Sequence, residues 1–353
     1  MADLVVAGGG MGGLCAAAHA RELGADVVVL EKGDRPGGSM LLSSGVVWRH
    51  RELDRFREDC PAGDPELQRT LFERLDADLD WLESLGAEVT GRETGNPLTT
   101  GRRLDTRSLT GALVEAAGGV RLGEPLRELP EGGPVVLATG GFQANRTLVR
   151  EHITPEADSL LLRAAPWSNG DGLRLGLAAG AEPSGGLDEF YGRNMPAPPA
   201  CVREDDFVHL AQLYAHHATV TNARGERFEP RTWSEIDVVQ WTARQPGARA
   251  RYRVEERALG ERARERTVGE MVDAAEQAGA PVTREDGAVT VEVVAGITTT
   301  LGGLRIDARG RAAERVYACG ADAGGIATGG YASGLASALV FGRLAAQAAL
   351  EDA

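Results

Sequence analysis

Short apolar runs alternate with stretches of helical periodicity along the first third of the chain. Val5-Val6-Ala7 and Asp26 to Leu30 read as two buried strands. Leu14 to Leu23, between them, is alanine-rich and helical in pattern. Leu67, Leu71, Leu75, Leu79 and Leu82 recur at three- and four-residue spacing, which predicts a helix over 64–88 ending near Gly86. Arg107 to Ala117 reads as another helix, and Val120 to Leu122 and Pro134 to Ala138 as short strands. Strands alternating with helices predict a largely parallel sheet.

The pattern changes from about Pro183. Pro196, Pro198 and Pro199 break regular structure. Leu210 to Val220 reads as a strand and Asn222 to Gly225 as its turn. Arg249 to Arg266 is dense in Arg and Glu and reads as a solvated helix laced with charge pairs. Thr267 to Ala278 reads as a helix closed by Gly279. Glycine-rich strand and helix return from Ile297 to Leu350. The expected fold is α/β: a Rossmann-like domain over 1–185 and 296–353, with a smaller α+β domain inserted over 186–295.

Three glycine-rich segments punctuate the predicted Rossmann-like domain. In the first, Gly8, Gly10 and Gly13 satisfy G-x-G-x-x-G, with Met11 and Gly12 between them, after a strand and before a helix. Gly8 permits the tight turn, Gly10 lets backbone approach a pyrophosphate, and Gly13 lets helix and strand pack closely. The phosphates then sit on N–H groups of the new helix. Glu31 closes the second strand about 20 residues on, where a ribose carboxylate is expected, and Lys32 follows it. The second segment, Arg35-Pro36-Gly37-Gly38-Ser39, is a turn running toward Ser43-Ser44-Gly45, which offers small side chains and free N–H groups. The third runs from Ala321-Asp322-Ala323-Gly324-Gly325 to Gly329-Gly330-Tyr331-Ala332-Ser333-Gly334, ahead of the apolar helix Leu335 to Leu350. A helix N-terminus behind such a loop attracts anions, and its small residues leave room for a flat ring.

Composition narrows the classes. A chain of 353 residues buries a substantial core as one large or two modest domains. A formal charge of −14 argues against nucleic-acid or anionic-membrane partners. No apolar stretch approaches the ~20 residues of a membrane span, and no basic n-region precedes the first strand. A cytoplasmic protein is expected. Cys15, Cys60, Cys201 and Cys319 are scattered without C-x-x-C, so neither disulfides nor a zinc site is expected. Cys15 and Cys319 read as small core residues. His216 and His217 sit in the predicted strand, where neighbours face opposite ways and cannot readily share a metal.

These motifs together resemble the flavoproteins of the fumarate reductase/succinate dehydrogenase type, which include soluble fumarate reductases and ketosteroid dehydrogenases. The resemblance covers most of the chain. It rests on the glycine loop with Glu31, the Gly37-Gly38 turn and the strand end Ala138-Thr139-Gly140-Gly141-Phe142. It also rests on Asn169-Gly170-Asp171-Gly172, Asn222 to Phe228, Thr300-Leu301-Gly302-Gly303 and Ala318 to Gly334. The resemblance implies FAD as cofactor. Glu31 would hold its ribose, Asp322 would meet the ribityl chain, and backbone at Gly334, Leu335 and Ala336 would face the flavin pyrimidine edge. The inserted domain would be a cap closing substrate over the flavin.

Departures from the family pattern are informative. Members that bond FAD covalently carry a histidine just after the Gly-Gly turn, and Ser39 to Val47 contains none, so the implied FAD is noncovalent. Glu235 stands where fumarate reductases have an arginine acid and ketosteroid dehydrogenases a tyrosine. Thr299 replaces a family histidine, and Tyr331 aligns with a carboxylate-binding arginine. A C4 dicarboxylate is therefore not the expected substrate. Only Pro-Glu-Gly-Gly-Pro separates Leu129 from Val135, where relatives carry a β-meander, so a trimmed fold with a small, open cap is expected.

The activity implied is hydride transfer between flavin N5 and a carbon–carbon bond next to a carbonyl, as an α,β-dehydrogenase or ene-reductase. The substrate is a small molecule, and an electron donor or acceptor that the sequence does not identify completes the cycle. Tyr331 is the expected stabiliser of the enolate or, alternatively, only packing above the flavin. Glu235 is the expected proton-transfer group or, alternatively, a surface carboxylate paired with Arg231. Tyr191, Tyr214 and His216 stand next in line for the proton. A flavin oxidase or monooxygenase, and a noncatalytic flavoprotein, remain as alternatives. A plain nicotinamide dehydrogenase explains the first motif but not the other two.

Overall fold

Leu4–Ala7 lies inside a six-stranded sheet in the computed structural model, which describes residues 2–353. The strand order is Arg311–Ala313, Val316–Ala318, Val135–Leu137, Leu4–Ala7, Val27–Glu31, Arg121–Leu122. Val5 pairs in parallel with both Val135 and Val28, and the neighbouring inner pairs are parallel too. The edge strand Arg311–Ala313 is antiparallel. Inner parallel strands are covered on both faces, which is why Val5-Val6-Ala7 carries no polar alternation. A separate antiparallel sheet of Val46–His50, Thr99–Leu104 and Val89–Gly91 follows the second glycine turn. From Gly123 to Pro134 the chain has neither strand nor helix.

The helix Met11–Glu22 is buried from Met11 to Ala20. Its glycines and alanines let the last helix, Gly334–Glu351, come close. A Cβ on Gly342 would fall 2.5 Å from the Gly12 carbonyl. Cys15 and Cys319 are fully buried, as small core residues should be. The leucine repeat forms the helix Pro65–Ser84, whose first turn is capped by Asp64 accepting from Glu66 and Leu67 N–H. It stops before Gly86, which adopts φ 94.

The chain divides into two compact units. The first comprises Met1–Asn145, Ala165–Glu189 and Thr299–Ala353, and the second Arg146–Ala164 and Phe190–Thr298. The second therefore takes a segment, 146–164, that the sequence assigned to the nucleotide domain. Leu161 and Leu162 pair in parallel with Gly296 and Ile297, and Thr154 donates to the Ala243 carbonyl at 2.8 Å. These long-range contacts leave no local signature. The second unit's sheet is ordered Arg227–Phe228, Thr219–Thr221, Arg249–Glu255, Ala288–Thr300, Val282–Glu285. Tyr252, Val254, Val289, Val291 and Met271 pack within its core.

Two expected elements differ. Arg249 to Arg266 is not a helix: Arg249–Glu255 is a strand paired along its length with Ala288–Val294. Ala250, Tyr252 and Val254 are buried while the Arg and Glu between them face outward, a period of two. Leu210 to Val220 is mostly irregular, with a single 3₁₀ turn at Ala215–His217 before the short strand Thr219–Thr221. His216 and His217 therefore sit on that turn rather than in a strand. The turn expected at Asn222 to Gly225 is present, with Gly225 N–H bonded to the Asn222 carbonyl at 3.1 Å. No helix among the described residues is long and apolar enough to cross a membrane.

Candidate functional site

The first glycine loop sits between two strands and the start of a buried helix. A Cβ on Gly8 would fall 2.1 Å from the Ala138 carbonyl, and one on Gly13 would fall 2.0 Å from the Gly8 carbonyl. At Gly10 a Cβ would meet nothing within 4 Å. The turn is thus packed on its inner side and open at its middle glycine. Glu31 is 4% exposed, and its two oxygens accept Gly9 N–H and Gly33 N–H, both at 2.6 Å. Backbone N–H groups fix the carboxylate in place, and each oxygen keeps a further lone pair. Lys32 pairs with Asp171 at 2.8 Å, and both line a cavity with Glu31, Thr139 and Trp167.

The Gly37-Gly38 turn docks on this loop: Gly37 N–H donates to the Gly9 carbonyl at 2.7 Å. Gly37 and Gly38 both have positive φ, at 99 and 51. Ser39 Oγ accepts Ala165 N–H at 3.1 Å. The N–H groups expected to be free beyond it are largely spoken for. Ser43 N–H bonds the Met40 carbonyl, and Gly45 N–H bonds Ser43 Oγ at 3.1 Å. Gly45 instead allows close packing, since a Cβ there would overlap the Leu104 carbonyl at 2.1 Å. Ser44 is exposed.

Asp322 is buried and serves as a strut. Its oxygens accept the N–H and hydroxyl of Thr139 and the N–H of Gly141, fastening the Ala138-Thr139-Gly140 strand end to the C-terminal loop. The sequence assigned this carboxylate to a ribityl chain, whereas here it is engaged by protein donors. Burial pushes its pKa up, and the bonds from Thr139 and Gly141 oppose that shift. Beside Gly141 lie Thr300 Oγ1 and Gln143 Oε1, two buried polar atoms without partners. Gln143 carried no sequence signal, because its role depends on a partner region more than 150 residues away.

The last helix begins at Gly334, with Ser333 as its cap accepting Ala336 N–H at 3.3 Å. Gly334 is open on its Cβ side. Of the three amides expected to face a ligand, the one at Ala336 is therefore used internally, while Gly334 and Leu335 stand in the first turn, which has no intrahelical acceptors. Tyr331 lies edge-on to Trp48 at 5.9 Å between centroids. Trp48 meets His50 at 5.4 Å, and His50 stacks on Phe56 and reaches Asp59 at 3.1 Å. The loop is braced from below: Ala62 N–H donates to the Thr328 carbonyl and Asp64 N–H to the Gly325 carbonyl. Trp48 was not anticipated beside Tyr331, since the two meet only through tertiary packing.

Glu235 belongs to the second unit. It is 5% exposed and has φ 57, so it is not a surface carboxylate paired with Arg231. Its Oε1 accepts Ala215 N–H at 2.9 Å. Burial pushes its carboxyl above the usual range, against the opposing pull of Arg264, Arg193, His216 and the Ala215 N–H. Tyr214, fully buried nearby, is itself pushed up by burial and by the Glu235 charge.

The family described as FAD binding domain matches residues 3–128 and 103–337, most of the chain. The chain belongs to this FAD-binding family. Its relatives include a fumarate reductase (cytochrome) of Shewanella frigidimarina, 24% identical over 64% of this chain and 47% of that protein. A vinyl phenol reductase of Lactiplantibacillus plantarum is 23% identical over 64% of this chain and 56% of that protein. The chain spans about half the length of these curated relatives. Among solved structures, an open flavocytochrome c3 fumarate reductase matches with TM-score 0.75 at 19% identity, over 99% of this chain and 78% of the other. The 3-ketosteroid delta1-dehydrogenase of Sterolibacterium denitrificans matches with TM-score 0.73 at 16% identity over 100% of both chains. The fold is thus that of the FAD-binding flavoprotein dehydrogenases and reductases.

Proposed function

We propose that the chain is an FAD-dependent oxidoreductase acting on a carbon–carbon bond next to a carbonyl, in a small organic substrate other than a C4 dicarboxylate. The observation that carries this reading is the first unit's cradle. It combines an open middle glycine, a backbone-held Glu31 and the unpartnered polar atoms of Thr300 and Gln143. Those features suit a long dinucleotide with a polar ring at one end. In this reading Glu31 holds the ribose, and the amides of Met11, Gly12 and Gly13 take the pyrophosphate. Thr300 and Gln143, whose buried side-chain oxygens lack partners, would hold a polar part of the cofactor. The association is noncovalent. When bound, FAD supplies the hydride donor or acceptor.

The chain's own groups handle charge and protons. Tyr331 donates its hydroxyl hydrogen to the substrate oxygen, where negative charge collects as the α proton leaves. Glu235 takes or returns that proton. Burial raises its pKa, which favours a carboxyl that gives as well as takes a proton. The reductase and dehydrogenase names among similar proteins support the reaction class. The substrate restriction rests on Thr299 and Tyr331 at the family's cation positions, because enclosed carboxylates need paired cations.

Anaerobic mixing of the FAD-loaded protein with saturated ketones and acids tests the reading. Bleaching of the flavin by members of that set is expected. Robust fumarate reduction with a reduced dye contradicts the substrate class, and stoichiometric oxygen uptake in steady state makes the protein an oxidase instead.

A further inference from the structure

Glu235 sits in a left-handed backbone conformation, φ 57, directly before the helix Ile236–Ala243. That conformation crowds any residue with a Cβ, and it persists only where the surroundings enforce it. Here they act on each of the three preceding carbonyls. The Thr232 carbonyl accepts Glu235 N–H at 3.0 Å and faces His216 Nε2 at 2.9 Å. Arg264 donates to the Trp233 carbonyl at 3.2 Å, and Arg193 donates to the Ser234 carbonyl. Asp237 holds the start of the turn, its carboxylate accepting Arg231 N–H at 2.7 Å and the Thr232 hydroxyl at 2.6 Å. The Glu235 side chain then turns inward to Ala215 N–H.

Arg264 is left-handed too, at φ 64. It lies in the two-residue turn between the paired strands Arg262–Ala263 and Arg266–Thr267. Glycine is the usual residue at such a position. An arginine there puts its guanidinium 4.3 Å from the Trp233 ring centroid as well as on the Trp233 carbonyl. Arg266 fastens the hairpin in place by donating to the His209 and Ala211 carbonyls. Two strained residues, Arg264 and Glu235, thus belong to one connected contact.

We propose that Arg264 and Arg193 are positioning residues for Glu235: they hold the Trp233 and Ser234 carbonyls and keep the Glu235 carboxyl turned inward beside positive charge. Burial favours the neutral acid. Arg264, Arg193 and His216 favour the carboxylate, as does the Ala215 N–H. The other titratable groups here are Asp237 and the phenols of Tyr214 and Tyr252, which burial and then the Glu235 charge push up. The two arginines therefore offset desolvation, so that one buried carboxyl can release a proton as well as hold it. The inference rests on the functional reading above for what that proton does, but not for the clamp itself.

Melting temperatures across pH test the clamp on the full FAD-loaded chain. Four proteins are compared: the parent, Glu235→Gln, Arg264→Gly and the double variant. Glycine suits the left-handed turn, so Arg264→Gly removes the cation and leaves the hairpin favoured. The margin of Glu235→Gln over the parent should climb with pH and level off where Glu235 has ionised. Without the Arg264 charge the carboxyl should hold its proton about three- to tenfold more tightly. The same margin, measured with Arg264→Gly in both proteins, should then level off at higher pH. Margins that superimpose, or that level off at lower pH, overturn the proposal. Arg193→Lys keeps the charge and should level off close to the parent, whereas Arg193→Met should move as Arg264→Gly does. Arg193 is mostly buried, so the Arg264 comparison decides if Arg193→Met fails to fold. The separate arm is the pH–rate profile for reoxidation of photoreduced flavin by conjugated ketones and acids. The limb assigned to Glu235 should move upward with Arg264→Gly. A shifted margin with an unmoved limb leaves the clamp standing and removes Glu235 from proton transfer. A shifted margin with no reacting acceptor leaves the clamp and removes the oxidoreductase reading. A moved limb with superimposed margins overturns the clamp.

Discussion

Tyr331 and Glu235 carry the chemistry in this account, and each can be tested alone. Tyr331→Phe removes one hydrogen-bond donor and leaves the edge-on ring contact with Trp48 in place. Turnover should fall by roughly 10²–10³-fold with FAD retained; unchanged turnover would reduce Tyr331 to packing. Glu235→Gln should cost roughly 10²–10⁴-fold and abolish one limb of the pH–rate profile. Stability gives an independent reading of the same residue. Its folded pKa is raised, so the native state holds the proton more tightly than the unfolded chain. Its contribution to stability is therefore present at low pH and is lost as pH rises from the ordinary carboxylate range through the raised value. Gln is neutral throughout and can still accept Ala215 N–H. The melting temperature of Glu235→Gln relative to the parent should thus climb from acid to neutral pH, and parallel curves would contradict the burial argument. Gly8 to Gly13 and Glu31 were legible in the sequence because strand, turn, helix and acid follow one another locally. Trp48 and Gln143 were not, because each acquires its role from a segment distant in the chain.

The element that most constrains the cradle is the pair formed by the first and last helices. Gly342 sits over Gly12, so any side chain must push backbone that also forms the glycine loop. Gly342→Val should destabilise the chain by about 1–3 kcal/mol, the usual cost of overpacking. A lower denaturant midpoint at unchanged slope would record it, and FAD should be held less firmly. A midpoint equal to the parent's would mean that the helices separate easily. The helices were readable from their periodicity, and the leucine repeat of Pro65–Ser84 is the clearest case. The strand Arg249–Glu255 was not readable. Its inward positions include Ala250 and its outward ones are Arg and Glu, all good helix formers, so composition masked a two-residue alternation. What made it a strand is pairing with Ala288–Val294 some 40 residues on.

At the scale of the whole molecule, the parallel sheet and a domain interrupted in sequence were legible. The assignment of 146–164 to the second unit was not, because two leucines joining a distant strand leave no pattern of their own. The first unit should hold FAD without a covalent bond: acid precipitation should leave a yellow supernatant with the mass of FAD, and flavin remaining in the pellet would contradict this. Glu31→Ala should weaken FAD retention without unfolding the chain, since the parallel strands around it do not depend on that carboxylate. The most direct test of the central claim is anaerobic. Photoreduced FAD-loaded protein is mixed with conjugated ketones and acids, and the flavin colour and products are followed together. The account predicts that at least one conjugated compound restores the oxidised flavin and is recovered saturated at its α and β carbons, one product per flavin. Flavin that stays reduced with every conjugated acceptor, and recovers only when oxygen is admitted, would contradict it.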